Sequence, residues 1–403
     1  MRAGGEAPPG RRWARIVGTA IGRAARLWVV VLAAAAAAAA ERVVAVGDVH
    51  GAYEQFVSIL QHAGVIDKDM AWTGGKTVLI QTGDVLDRGP RSRDAMDLLM
   101  DMAAKAAPAG GEVRALLGNH ETMVMIGDLR YVAAEEYQAF AGPESDKLRE
   151  AEYKEYLLYR KQRSVKARRP VPGESAHDKK AWMEIHPPGF FEFRQAFAPA
   201  GKYGKWLRTH DAVTQVDDVL FMHGGLSPEL RQKNIKEIND QIRKDLETID
   251  KAWSKLCSRG ILWQYLSLEE AQNEARADFM AQQNSGGAVD PDLMTFMNLG
   301  NLTMAAPTGP LWFRGYAQEQ EAAFAPHLEK VLKKFKVRTL VVGHTIPSAK
   351  RITPRFDGRV FLIDTGMLPG SFQGRASALE IAGGQFRSLY VGEPAQALSA
   401  NGK

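Results

Sequence analysis

Short apolar runs punctuated by small polar clusters set the organisation of this chain. Val43–Val46, Thr77–Gln81 and Glu112–Leu117 are four to six residues long and are each closed by glycine. Runs so short and so rich in Val, Leu and Ile predict buried strands rather than helices. Between them the period changes. Phe56, Ile59, Leu60 and Ala63 recur at helical spacing over Tyr53–Ala63, as do Ala95, Leu98, Leu99 and Met102 over Arg93–Ala106. Ala107-Pro108-Ala109-Gly110-Gly111 ends the second helix. The first third of the chain therefore reads as a strand–helix–strand–helix–strand unit.

The pattern then loosens. Asp146–Arg169 alternates Glu, Lys and Arg and predicts a solvated helix. Within it the basic run Lys161–Arg169 reads as solvated surface, with an acidic partner as the alternative. Pro170–Gly173 and His186-Pro187-Pro188-Gly189 are loop punctuation. Ala212–Val216 and Val219–Met222 flank Asp217-Asp218 as a hairpin. Ile235, Ile238, Ile242 and Leu246 mark a further helix, and residues 283–292 an exposed loop. A helix over Ala323–Phe335 leads into strands at Thr339–Val342 and Val360–Ile363, and Ala378–Ile381 and Phe386–Val391 close the fold. The expected organisation is a folded domain over 41–395, helical insertions at about 128–210 and 226–305, and a flexible tail over 396–403.

Ahead of the domain, residues 1–40 begin with arginines and continue as an apolar, alanine-rich run from Leu27 to Ala40. That order resembles a secretory signal, and the run is short for a bilayer span. It predicts a secreted, periplasmic or secretory-pathway protein that meets a membrane only if the segment is retained; a mitochondrial or other organelle leader is the alternative. The single cysteine, Cys257, excludes an internal disulfide. A net charge of +5 is small for 403 residues and gives no reason to expect nucleic acid.

Chemistry concentrates where the strands end. In open α/β sheets ligands bind beyond the carboxyl ends of the strands. Here those ends read Gly47-Asp48-Val49-His50-Gly51, Gly83-Asp84-Val85-Leu86-Asp87-Arg88-Gly89 and Gly118-Asn119-His120-Glu121, and later His223-Gly224-Gly225 and Gly343-His344-Thr345. A single Gly-Asp after a strand is usually a turn. Five such ends carrying carboxylates, imidazoles and an amide predict two divalent cations, Mn, Fe or Zn, with no thiolate on offer. One carboxylate has to bridge them, and a shared water becomes a nucleophile at neutral pH. Arg88 can grip two phosphate oxygens. His120 can protonate a leaving oxygen, with Asp87 as the candidate to orient it. His62, His177, His186, His210 and His327 lie outside these ends and are expected to be structural or surface residues.

These motifs resemble the calcineurin-like metallophosphoesterases. The Asp-Arg-Gly and Asn-His-Glu forms resemble the phosphoprotein phosphatase branch. The helical insertions, Gly309-Pro310-Leu311-Trp312-Phe313-Arg314-Gly315 and Asp364-Thr365-Gly366 resemble the Shewanella-like protein phosphatases. The resemblance spans about residues 42–390. It implies an α/β fold of two packed mixed sheets flanked by helices. It implies that Asp48 and His50 hold one metal, that Asp84 bridges, and that Asn119, His223 and His344 hold the other. It makes His120 the general acid supported by Asp87, and Arg88 and Arg314 the phosphate-binding arginines with Asn119 beside the substrate. The substrate implied is a phosphoprotein or phosphopeptide, and Mn the metal to use in vitro. The carboxyl-terminal region lacks the Tyr-Cys loop of the common Ser/Thr members, and some members of the subgroup act on phosphotyrosine, which leaves the residue preference open. Two other readings stand beside this one: the same fold acting on a dinucleoside polyphosphate or another small phosphate ester, and a non-catalytic binding module.

Overall fold

The computed structural model describes residues 40–166, 175–286 and 288–398. The leader expected over 1–40 lies outside them apart from Ala40, as do Pro170–Gly173 and the end of the basic run. No helix among the described residues is long and apolar enough to cross a membrane.

Eleven strands build two mixed sheets. The first contains β1 (Val43–Val46), β2 (Val78–Gln81), β3 (Glu112–Ala115), β9 (Ser377–Ala382), β10 (Gln385–Tyr390) and β11 (Gln396–Leu398), in the order β11-β10-β9-β1-β2-β3. The second contains β4 (Val213–Val216), β5 (Val219–Met222), β6 (Thr339–Val342), β7 (Thr353–Arg355) and β8 (Val360–Leu362), in the order β4-β5-β6-β8-β7. Strands β1, β2 and β3 are parallel, as are β5, β6 and β8; β4, β7, β9, β10 and β11 join by antiparallel pairing.

Strand periodicity divides the side chains between two cores. Ala45, Ile80, Phe221, Val341, Phe361 and Leu379 point into the layer between the sheets. Val44, Val46, Leu79, Leu220, Met222 and Leu340 point outward into the helices. Helices α1 (Tyr53–His62) and α2 (Ser92–Ala106) bury the apolar stripes expected of them. Helix α3 (Asn119–Met125) follows β3 and is wholly buried. The first insertion then folds as α4 (Ala134–Phe140), α5 (Ser145–Lys166), α6 (Ala176–Ile185), α7 (Phe190–Phe197) and α8 (Lys202–Leu207). The second holds α9 (Ile235–Ser258), α10 (Leu268–Asn284) and α11 (Pro291–Met297). Short α12 (Gly315–Gln318), α13 (Glu321–Phe335) and α14 (Pro369–Phe372) complete the set.

Two features depart from expectation. Residues 396–398 are not a tail: they pair with β10, and Leu398 packs with Phe386 against the inter-sheet core. The strand β7 is new. It carries Pro354, which an edge strand tolerates because one side of its backbone needs no partner. Within the basic run, Arg163 is engaged internally, paired with Glu274 and Asp278 at 2.7 and 2.5 Å. His186 is a core residue, stacked on Trp182 with ring centroids 4.1 Å apart.

The inter-sheet layer is the part of the fold that fixes where the strand ends lie. Phe361 is fully buried there and stacks on Phe386 at 4.5 Å. Phe361→Ala is expected to lower unfolding free energy by about 3–5 kcal/mol, the usual cost of emptying a packed aromatic site. Urea denaturation checks this: the midpoint falls while the slope is unchanged.

Candidate metal centre

Parallel register brings the polar clusters to one edge. Val46 pairs with Gln81 and Gln81 with Ala115, so Asp48, Asp84 and Asn119 leave their strands side by side. In the second sheet Met222, Val342 and Leu362 are level, which aligns His223, His344 and Asp364. The turns that follow are left-handed at non-glycine residues: φ is +49° at His50, +56° at Asp84, +70° at Asp87, +69° at Arg88 and +64° at His344. Such conformations cost about 1–3 kcal/mol each and persist only where the surroundings impose them. Glu121 is one such constraint. Its Oε2 accepts the N–H groups of Asp84 (2.8 Å) and Gly118 (2.7 Å), and its Oε1 those of Val85 (2.8 Å) and Leu86 (3.3 Å). At Gly118 a Cβ would sit 2.1 Å from Asp84 Oδ1, so glycine is required for the carboxylate to take its place.

Asp84 is the hub. Its Oδ2 lies 3.2 Å from His223 Nε2, 3.7 Å from His50 Nε2 and 3.8 Å from His120 Nε2, while Oδ1 accepts the His120 N–H at 3.0 Å. His50, Asp84 and His120 offer ligand atoms all within 4.8 Å of one another, and so do Asp84, His223 and His344. Asn119 Oδ1 adds an amide oxygen 2.9 Å from His223 Nε2. His344 Nδ1 is 3.0 Å from the same nitrogen. Asp48 lies against both groups, Oδ2 4.0 Å from His50 and Oδ1 3.9 Å from His223 Nδ1, and Oδ1 also accepts the His344 N–H at 3.0 Å. Asp87 Oδ2 meets His120 Nδ1 at 2.6 Å. Eight of the ten site residues anticipated from sequence, all but Arg88 and Arg314, thus converge. His120, expected as an acid, also stands among the potential ligands.

Charges in this buried space are strongly biased. Burial lowers His50 to about 3, with its Nδ1 facing Leu86 O at 2.8 Å. Burial and the neighbouring His223 lower His344 to about 2. Both imidazoles are therefore neutral at physiological pH, the form that ligates metal. Burial alone would raise Asp84, but His223, His120 and His50 outweigh it and hold the carboxylate well below its usual range. Burial, reinforced by Asp364 and Asp84, pushes Asp48 well upward. His120 goes the other way from its sister imidazoles: burial opposes its charge, yet Asp84 and Asp87 together raise it. The donor set fits two divalent cations that share Asp84: neutral imidazoles, an amide oxygen and buried carboxylates that repel one another without a counter-charge.

Around this centre stand two arginines. Arg88 carries its guanidinium 4.4 Å from the ring centre of Tyr131 and 5.3 Å from that of Phe372. Arg314 donates to His344 O at 2.5 Å and Thr345 Oγ1 at 3.0 Å. Tyr131 also flanks His120 (5.2 Å between rings) and Phe372 flanks His50 (5.5 Å). Four contributors were not assigned roles from sequence. Glu121 had a signal, since Glu three residues after a helix's N-cap is the capping-box position. Asp364 had a weaker one as a strand-end Asp; it accepts the Gly366 N–H at 2.9 Å, and burial raises it to about 6. Tyr131 and Phe372 had none.

A two-sheet sandwich with paired metal-donor groups at aligned strand ends defines a metallohydrolase class. The profile of the calcineurin-like phosphoesterases matches residues 41–348, and the chain belongs to that family. Among its relatives, an uncharacterised protein of Schizosaccharomyces pombe is 29% identical over 348 residues, 84% of this chain and 77% of its own. Shewanella-like protein phosphatase 2 of Arabidopsis thaliana is 27% identical over 352 residues, 85% of this chain and 75% of its own. The crystal structure of a cold-active protein-tyrosine phosphatase from a psychrophilic Shewanella shares the fold, with a TM-score of 0.57 at 23% identity, covering 89% of this chain and 80% of that one. The chain is thus a metallophosphoesterase that resembles the Shewanella-like protein phosphatases.

Because Glu121 holds the loop that presents Asp84, Glu121→Ala is expected to release that loop and reduce bound divalent metal well below the wild-type content. Elemental analysis of the purified protein after equilibration with Mn checks it, and unchanged metal content refutes the dependence.

Proposed function

We propose that this protein is a metal-dependent phosphoprotein phosphatase that favours aryl phosphomonoesters, phosphotyrosine foremost. The observation that carries the reading is the placement of Arg88 between two aromatic rings beside a carboxylate shared by two metal-donor groups. Arg88 and Arg314 both stand beside the centre, and each guanidinium can bind phosphoryl oxygens in fork geometry. When bound, two divalent cations would supply a water acidic enough to attack at neutral pH and would neutralise charge on the phosphoryl group. His120 gives the proton. Its Nδ1 is fixed by Asp87, its Nε2 faces the centre, and Asp84 and Asp87 raise its pKa against burial, which favours the proton-bearing form. Tyr131, more exposed than most large side chains at 38%, stands beside His120, so an aromatic leaving group would lie against it. The names of the relatives, protein phosphatases and a protein-tyrosine phosphatase, support the same reading.

Two measurements test it. His120→Asn is expected to lower kcat on a phosphopeptide by about 10²–10⁴-fold, the range for loss of a general acid. Mn-loaded protein with no monoesterase activity would refute the reading. Faster turnover of diadenosine tetraphosphate than of any phosphopeptide would instead assign the fold to small phosphate esters. Second, Tyr131→Ala is expected to reduce kcat/KM on a phosphotyrosyl peptide by about tenfold, the worth of an aromatic contact, with little change on its phosphoseryl counterpart. Equal losses on both would remove the aryl preference.

A further inference from the structure

Away from the metal centre, α7, α9 and the chain that follows α9 enclose a cavity of about 380 Å³, within the range of small-molecule sites. One wall is the end of α3 and the residue after it, Val124 to Ile126. Phe197, Trp253 and Tyr265 supply most of the remaining apolar surface. Among its lining residues Arg194 is the single cation and Asp250 the single carboxylate, and the two are not paired. Asp250 is taken from outside by Arg208, whose Nε and Nη2 donate to it at 2.8 and 2.9 Å. The Arg194 guanidinium donates to carbonyl oxygens, Leu266 O at 3.1 Å and Gln264 O at 3.5 Å, and lies 6.0 Å from the ring centre of Trp253. Glu270, whose charge is felt there, is committed to capping α10 through Ser267. Tyr265 is also engaged, accepting from Gln195 Nε2 at 2.9 Å.

Arg194 is half-buried and has no carboxylate partner among the described residues, so its guanidinium remains available to an anion. It is the one cationic group of a lining whose apolar and aromatic side chains are interrupted by Gln195, Asp250, Ser254 and Gln264, with Asp250 neutralised by Arg208. An anion with an apolar body would neutralise it and fill the space beside it.

We propose that this cavity binds a small amphipathic carboxylate, with its carboxylate on Arg194 and its apolar body between Phe197, Trp253 and Tyr265. The site is separate from the metal centre and independent of which phosphoester is hydrolysed. Burial that drags Arg194 down to about 10 agrees with a charge awaiting a partner.

Titration of the intact, metal-loaded protein with 1-naphthylacetate, followed by tryptophan fluorescence and calorimetry, tests the proposal, with 1-naphthylacetamide as the neutral counterpart. One saturable site is expected, with the acid binding at least about tenfold tighter than the amide, as loss of one partner of a buried charge pair implies. Saturating orthophosphate, directed to the metal centre, leaves that binding unchanged. Arg194→Gln weakens it by about tenfold or more. Ser254→Trp, at an exposed position on the cavity rim, blocks it while preserving the melting temperature and p-nitrophenyl phosphate turnover. Equal affinity for acid and amide, displacement by orthophosphate, absence of saturable binding, or binding that survives Ser254→Trp would overturn the assignment.

Discussion

A single buried carboxylate ties the two ends of the active loop together. Glu121 accepts four backbone N–H groups, three from the turn after β2 and one from the start of α3. Hydrogen bonds to a charged group contribute about 1.5–3 kcal/mol each, comparable with the strain of the left-handed residues they hold. The clamp can therefore offset the cost of the turn that points Asp84, Asp87 and Arg88 in three directions within five residues. Remove it and each of these side chains loses the backbone geometry on which its chemistry depends.

The same compression sets the electrostatics. Asp48, Asp84, Glu121 and Asp364 are all buried within one small volume, and burial pushes three of the four upward. Asp84 alone is held down, because three imidazoles face it. A cluster of this kind is frustrated on its own and relieved by cations. Its conformational cost is thus met by binding, which explains why neutral imidazoles and crowded carboxylates can share one site. Outside the cluster the arginines are restrained differently, Arg88 by aromatic faces and Arg314 by the carbonyl of His344. Among the described residues neither guanidinium has a carboxylate partner that a phosphate would need to displace.

Much of this was legible in the sequence because strand ends announce themselves. Asp48, Asp84 and Asn119 stand just past short apolar runs at nearly equal intervals, and His223 and His344 repeat the device in the second sheet. Their convergence follows from parallel register, which the period of the runs already implies. Tyr131 and Phe372 were not legible: one lies in an irregular connection and the other in a four-residue helix, and only tertiary packing brings both to Arg88. The aromatic helix α7 was missed because its phenylalanines crowd rather than recur on one face. Residues 396–398 were read as tail because three residues carry no periodicity, while their pairing depends on an edge that β10 provides.

Of the two neighbours of β1 in its sheet, β2 follows closely in the chain and β9 is contributed more than three hundred residues later. During synthesis the first ligands leave the ribosome long before their strand acquires both partners, and the second sheet has to be assembled in the interval. Long-range pairing of this kind is slow to form. The nascent chain consequently presents no finished cation trap, and the site closes only after β9 has been made. The donors carried past β1 therefore take their final setting only when segments far apart in the chain have paired, so the order of strand assembly governs when these carboxylates and imidazoles are brought together.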